Sequence, residues 1–307
     1  MKDIKQILFV VALLFFYAGS ALGGPIVDAD GRVTVVRKPF TRIISLYPAH
    51  TRNLIDMGAG NRIVAVGRSD HQMQGLPKLS FRDDPERLLA LRPDLVLIRP
   101  MISRAYPQLV SRLVESGVAV VSLQPSAMDE LFRYWQTLGR LTGHEPEVKK
   151  MITRFGLGLA EIKRRVERIP QAERKHVYFE SIHKRMKTFV PGSMAIFVLE
   201  SAGGINVAAD ARQVRKTNIA AYGKEHILAR ANEIDVFLAQ KGRMNPVTVE
   251  MIKKEPGFQV IKAVRNNQVY LVDETLVSRP TPCLLEGINT VFRILYPQVL
   301  QEGVDGR

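Results

Sequence analysis

The stretch Asp84-Pro85-Glu86-Arg87-Leu88-Leu89-Ala90-Leu91-Arg92-Pro93-Asp94-Leu95-Val96-Leu97-Ile98 contains a complete helix-to-strand unit. Asp84 can cap a helix, Pro85 suits its first position, and Glu86 sits in its first turn. Leu88, Leu89 and Leu91 supply an apolar face. Pro93 stops the helix, and Leu95 to Ile98 form a continuous apolar run of the kind found in a strand buried on both faces. The same alternation extends outward in both directions. Upstream, Ile43 to Leu46 reads as a strand, Tyr47-Pro48-Ala49 as a turn, and Thr51 to Met57 as a helix closed by Gly58 and Gly60. Ile63 to Gly67 is the next strand. Downstream, Leu109 to Glu115 is helical and Val118 to Leu123 is a strand. This order predicts an α/β fold, a parallel sheet covered by helices.

A second half begins at the strand His176 to Glu180 and echoes the first. A helix from Met194 to Ala202 ends at Gly203-Gly204, and Lys224 to Ala229 leads into the strand Ile234 to Leu238. Pro85 to Ala90 aligns with Lys224 to Ala229, so that Glu86 and Glu225 correspond; Pro93 to Leu97 aligns with Ile234 to Leu238 after a short insertion. Between the halves, Val148, Met151, Ile152, Phe155, Leu159, Ile162, Val166 and Ile169 repeat with helical period from Pro146 to Pro170. Such a helix is about 36 Å long. Gly156 and Gly158 look like points of close packing on it. The predicted organisation is a signal peptide at 1–23, an N-terminal lobe at 24–143, a connecting helix at 144–170 and a C-terminal lobe at 171–307.

The chain has 307 residues, a natural size for two α/β lobes. Lys2 and Lys5, the apolar run Ile7 to Ala18 and the small residues up to Gly24 read as a secretory signal. The run is short of the about 20 apolar residues of a membrane span. No cysteine follows it to carry a lipid, so the mature chain is expected in the periplasm. Cys283 is the single cysteine, which excludes an internal disulfide. The net charge of +14 favours anionic partners. The basic residues are scattered, however, and the densest group, Lys163-Arg164-Arg165, suits a solvated helix face. No nucleic-acid recognition motif is present, and nucleic acid is not an expected partner.

These residues resemble the iron-siderophore, haem and vitamin B12 family of substrate-binding proteins of ABC importers. Arg42 to Ala49 is similar to that family's R-I-V-S-L-S-P-S opening, and Leu54 to Val66 to its L-x-x-L-G-A-G-D-R-V-V-G-V segment. Pro85 to Val96 resembles its N-x-E-x-I-L-A-L-K-P-D-L-V block, Ala202 to Ala208 its A-G-G-x-N-V-A, and Val269 to Asp273 its closing V-Y-x-V-D. The resemblance runs from about Arg42 to Pro297. It implies two Rossmann-like sheet-and-helix lobes joined by one long α-helix, with a ligand cleft between the lobes. It also implies a monomer that delivers a small-molecule metal chelate to a permease and its ATPase at the inner membrane. In the vitamin B12 relatives, one surface glutamate per lobe docks onto permease arginines; the matching positions are Glu86 and Glu225. A carboxylate in a first helical turn is also stabilised by the helix dipole alone, by about 0.3–1 kcal/mol. The chain departs from the family at Tyr47, where a serine is usual, and at His50-Thr51-Arg52, where Ala-Thr-Glu is usual.

Ligands of open α/β sheets sit beyond the carboxyl ends of the strands. That rule selects Tyr47 and His50, then Arg68, Asp70 and His71, then Arg99 and Met101, and then Gln124. In the second half it selects Glu180, His183, Arg185 and Lys187, then Gln240, Lys241 and Arg243, and Arg279. The predicted ligand-binding set is Tyr47, His50, Arg68, His71, Arg99, Gln124, Arg185, Lys241 and Arg279. Arginine presents a planar fork that matches carboxylate or catecholate oxygens. An anionic ferric chelate of siderophore type is therefore the expected cargo, with iron or cobalt entering only inside the chelate and no intrinsic cofactor. Haem is an alternative, with Tyr47, His50, His71 or His183 as axial ligand and arginines on its propionates. Cobalamin is another, although the only tryptophan, Trp135, falls in a helix away from the predicted cleft. The histidines form no compact cluster for a bare metal ion.

An exported chelatase or hydrolase is the competing class. Asp70 with His71, or Glu180 with His183, could do acid–base work. No G-x-S-x-G, H-E-x-x-H or P-loop is present, and no motif supplies a nucleophile. The chain reads as a binding protein, not an enzyme.

Overall fold

The computed structural model describes residues 24–213 and 217–301. The expected signal segment lies outside the described residues. The chain divides into two compact units. The first holds the chain up to Gln124 together with Arg133–Lys150, and the second holds Pro125–Phe132 and everything from Met151 onward.

The first unit opens with an antiparallel hairpin of β1 (Ile26–Val27) and β2 (Val33–Thr34). Asp28 ties this hairpin down, its carboxylate accepting the backbone N–H of Ser122 at 2.9 Å. The main sheet contains β3 (Ile43–Ser45), β4 (Ile63–Gly67), β5 (Lys78–Leu79), β6 (Leu95–Ile98) and β7 (Ala119–Ser122). All its pairings are parallel, in the order β5-β4-β3-β6-β7. The chain thus steps outward from β3 to β5 and then returns to the other side of β3 with β6. Helices Pro48–Asp56, Pro85–Leu89 and Pro107–Glu115 connect the strands. Each begins with proline, whose missing N–H and fixed φ cost nothing at that position.

The decisive stretch folds as its residues dictate. The Asp84 carboxylate accepts the Glu86 N–H at 2.9 Å. Arg92 then adopts a left-handed conformation, φ 48°, directly before Pro93. The Arg42 guanidinium donates to the carbonyls of Leu91 (2.6 Å) and Arg92 (2.9 Å), satisfying groups that the chain end of a helix leaves bare. Asp94 returns the contact by accepting the N–H of Thr41 at 2.8 Å and of Arg42 at 2.9 Å.

The second unit contains β8 (His176–Ile182), β9 (Lys187–Phe189), β10 (Ile205–Asn206), β11 (Arg212–Gln213), β12 (Ile219–Ala221), β13 (Val236–Lys241) and β14 (Val269–Asp273). The order is β11-β12-β9-β8-β13-β14, with β10 also paired to β8. β8, β13 and β14 are parallel, whereas β9, β12 and β11 add an antiparallel arm. The sheet is therefore mixed rather than a copy of the first. The chain reverses at Met186, φ 46°, a residue type without the usual turn signature of glycine or asparagine. The expected echo is present at the strand starts. Asp235 accepts the His176 N–H at 2.9 Å just as Asp94 accepts that of Arg42. The apolar interior of this unit gathers Tyr178, Phe237 and Phe258 with Ile227 and Ile252.

The long helix runs Glu145–Val166. It stops short of Pro170, which lacks an N–H and disfavours helical geometry in the residue before it. Val148, Met151, Phe155, Ile162 and Val166 are its buried positions. Gly158 is a point of close approach, since a Cβ there would lie 2.7 Å from Leu285. Gly156 is not, because none of the described residues lies within 4 Å of its Cβ position. Among the described residues, no helix is long and apolar enough to cross a membrane.

Candidate functional site

In the first unit the strand order reverses between β3 and β6, and at such a switch point the following loops leave a crevice. The residues that follow these two strands come together there. The Arg99 guanidinium lies 4.4 Å from the centre of the Tyr47 ring, a cation–π stack. Tyr47 precedes the helix Pro48–Asp56 and Arg99 precedes the helix Pro100–Ala105, so both side chains are carried at helix starts. Both are half-buried.

Beneath this stack lies a buried polar network. His50 is wholly buried, its ring edge-on to Tyr47 with centroids 5.1 Å apart. His50 Nε2 is 3.0 Å from the carbonyl of Ile98, and Nδ1 is 2.7 Å from the hydroxyl of Tyr134. Burial first, and then the charge of Arg99, lower the His50 pKa to about 3, against one opposing hydrogen bond. The ring is therefore neutral at physiological pH. A carbonyl can only accept, so Nε2 carries the proton and donates to Ile98; Nδ1 then accepts from the Tyr134 hydroxyl. That hydroxyl accepts in turn from Asn53 Nδ2 at 3.1 Å. Both ring nitrogens are engaged and the side chain has no exposed surface. His50 thus supports the site from below and presents no atom to a ligand or a haem iron, contrary to the sequence expectation.

The other candidates of this unit lie around the sheet's carboxyl edge. Arg68 is exposed and held by Asp83 at 2.6 Å. His71 and Gln124 are exposed. Asp70 is wholly buried, with one carboxylate oxygen accepting the Gln72 N–H at 2.9 Å.

In the second unit, Arg185 is exposed on the turn after β8 and Lys241 is exposed at the end of β13. Arg279 is half-buried and paired with Glu274 at 2.9 Å. Gln240 is committed to its neighbours, donating to the Ser181 carbonyl at 3.1 Å and accepting from Ser278 at 2.6 Å. Glu180 and His183 form a buried pair, with His183 Nδ1 3.0 Å and 3.1 Å from the two carboxylate oxygens. His183 Nε2 faces Glu255 at 3.7 Å, and Glu255 also binds Lys224. Burial raises the Glu180 pKa, and the hydrogen bond to Glu180 raises that of His183. Nδ1 is thus taken by Glu180, while Nε2 makes only the longer contact with Glu255. Among the described residues, no group of three or more His, Cys, Asp and Glu side chains could hold a metal ion.

Glu86 and Glu225 are both exposed, each in the first turn of its helix, Pro85–Leu89 and Lys224–Ala229. Glu86 Oε1 accepts from Arg112 at 2.6 Å and 2.9 Å. Sequence reasoning did not find Tyr134 or Asn53. Tyr134 lies 84 residues from His50 and carries no motif, so only the fold reveals their contact.

The family model for periplasmic binding proteins matches residues 43–276. An uncharacterized ABC transporter substrate-binding lipoprotein of Bacillus subtilis is 25% identical over 282 residues, covering 90% of this chain and 86% of its own. A vitamin B12-binding protein of Vibrio cholerae is 23% identical over 269 residues, covering 85% of this chain and 92% of its own. A solved structure from Staphylococcus epidermidis, described as a possible iron-binding (periplasmic solute-binding) protein, superposes with a TM-score of 0.72 at 26% identity. That match covers 84% of this chain and all of the other.

Proposed function

The chain belongs to the periplasmic binding protein family, and from that premise we propose that it captures an anionic ferric chelate of siderophore type for an ABC importer. The observation that carries the reading is the Arg99–Tyr47 stack at the switch point of the first sheet. A planar cation backed by an aromatic ring is preorganised to meet a chelate's oxygen-rich edge, because little rotamer freedom remains to be lost. Arg68, His71 and Gln124 complete the set in the first unit, and Arg185, Lys241 and Arg279 supply it in the second. Iron is cargo in this scheme, not a resident cofactor. The protein works as an exported monomer in the periplasm and hands its cargo to the permease and ATPase through Glu86 and Glu225.

Cobalamin is the second reading, favoured by the vitamin B12-binding relatives. Haem is left with Tyr47, His71 and the buried His183 as axial candidates, since both ring nitrogens of His50 are engaged.

Trp135 quenching and thermal stabilisation against a ferric hydroxamate, a ferric catecholate, haemin and cyanocobalamin test the assignment. A ligand present at a hundred times its Kd adds about 2.7 kcal/mol of stability. A selective response to a ferric chelate, weakened about tenfold or more in Arg99→Gln, supports the proposal. A response to cyanocobalamin or haemin alone refutes the siderophore assignment, and no response to any of them refutes the whole ligand class.

A further inference from the structure

The second unit has a cavity of about 730 Å³ at the opposite end of its sheet from the carboxyl edge. His176, the first residue of β8, and Asp235, directly before β13, lie in its wall. The charges around it are unevenly matched. Asp235 is occupied by Lys262 at 2.7 Å and by the His176 N–H at 2.9 Å. Glu233 lies 3.3 Å from Arg230, which it shares with Asp210 at 3.2 Å. Arg168, Arg174 and Lys175 also line the cavity and have no ion-pair partner among the described residues. Among the described residues, the one remaining carboxylate of the lining is that of Glu173, on the exposed turn Gln171–Glu173. Among the described residues, three unpaired cations therefore face one unpaired carboxylate.

A second feature singles out Arg174. Its Nε is buried and has no hydrogen-bond partner among the described residues. A buried donor without an acceptor is unfavourable, so Arg174 is incompletely satisfied where it lines the cavity. Tyr296 also lines the cavity, but its hydroxyl donates to the Gly203 carbonyl at 2.7 Å and accepts the Lys175 N–H at 3.3 Å. The Lys175 backbone is thereby anchored at the cavity wall.

We propose that this cavity is a second ligand site, separate from the solute site, and that it takes a phosphate-class anion held by Arg174, Lys175 and Arg168. The lining carries more cations than carboxylates, which suits an anion, and guanidinium forks match the oxygens of a phosphate group. The phosphate group can belong to a free inorganic anion or to an anionic lipid headgroup.

The test uses the purified protein and an Arg174→Gln/Lys175→Gln variant. A Lys163→Gln/Arg164→Gln variant loses the same charge from exposed positions that do not line the cavity. Pyrophosphate binding is followed by titration calorimetry, and co-sedimentation uses vesicles of phosphatidylglycerol and phosphatidylcholine. Pyrophosphate binding at one site, weakened about tenfold or more only in the Arg174/Lys175 variant, establishes the site with a free anion as its ligand. Vesicle binding with the same variant dependence, without pyrophosphate binding, establishes it with a lipid headgroup. Equal weakening in both variants reduces the effect to net charge and overturns the proposal, as does absence of binding to either probe. Circular dichroism checks that the variants fold; if Arg174→Gln/Lys175→Gln does not, Arg168→Gln takes its place. Siderophore binding is read separately, so its failure leaves this result untouched.

Discussion

His50 should make the stability of the first unit fall as the solution is acidified. Its pKa is about 3 in the folded protein, against an ordinary value of 6.5, chiefly because burial penalises the charged ring. The unfolded chain therefore binds a proton on His50 before the folded chain does. A depressed pKa of this kind contributes stability that is fully present above pH 6.5 and is lost as the pH falls toward 3. At about 1.4 kcal/mol per pKa unit, the loss is about 2 kcal/mol by pH 5 and about 5 kcal/mol in total. His50→Gln removes the titration while leaving an amide that can donate to the Ile98 carbonyl. Trp135 is wholly buried and sits next to Tyr134 in the sequence, so its fluorescence reports the unfolding of this unit in urea. Other titrating groups are common to both proteins and cancel in the difference between them. The stability advantage of the wild type over His50→Gln should shrink by about 2 kcal/mol between pH 7.5 and pH 5. An advantage that stays constant across this range would show that His50 is not held as a buried neutral ring, and the account of its network would fail with it.

The Glu180–His183 pair should act in the opposite sense. Both pKa values are raised, so the folded state holds protons more tightly; the stability this contributes is lost as pH rises above 4.5 for Glu180 and above 6.5 for His183. Thermal melts of wild type and His183→Gln at pH 6 and pH 8.5 check it: the wild type's advantage should be smaller at the higher pH, and a larger advantage there would contradict the pairing. Gly287→Ala would drive a Cβ into the Leu276 carbonyl oxygen, a contact with backbone that cannot swing aside. It should cost about 2 kcal/mol or more, and an unchanged melting temperature would rule out the close approach. Glu86→Ala and Glu225→Ala, combined, should leave solute affinity intact and reduce permease-dependent uptake in reconstituted vesicles. Lost affinity would instead place these carboxylates in the solute site.

The elements were legible where their signals are local. Asp84, Pro85 and Pro93 mark a helix start and stop within a few residues, and the apolar run Leu95 to Ile98 can only be a buried segment. The echo between Asp94 and Asp235 was readable for the same reason, since each aspartate stands directly before its strand. The antiparallel arm was not legible, because Met186 reverses the chain without a turn residue to announce it.

For the site, strand order and polarity were enough to nominate Tyr47 and Arg99, because both follow the ends of strands recognisable from sequence alone. That they stack, and that His50 lies beneath them rather than beside them, depended on β3 and β6 becoming neighbours. The role of Tyr134 depended on a helix far along the chain packing over that junction. Sequence by itself determined the α/β order, the internal echo and the family, since caps, breakers and hydrophobic period act over a few residues. Tertiary structure alone decided which polar groups are buried and paired. Desolvation and hydrogen bonding depend on neighbours that arrive from distant parts of the chain, and no local pattern encodes them.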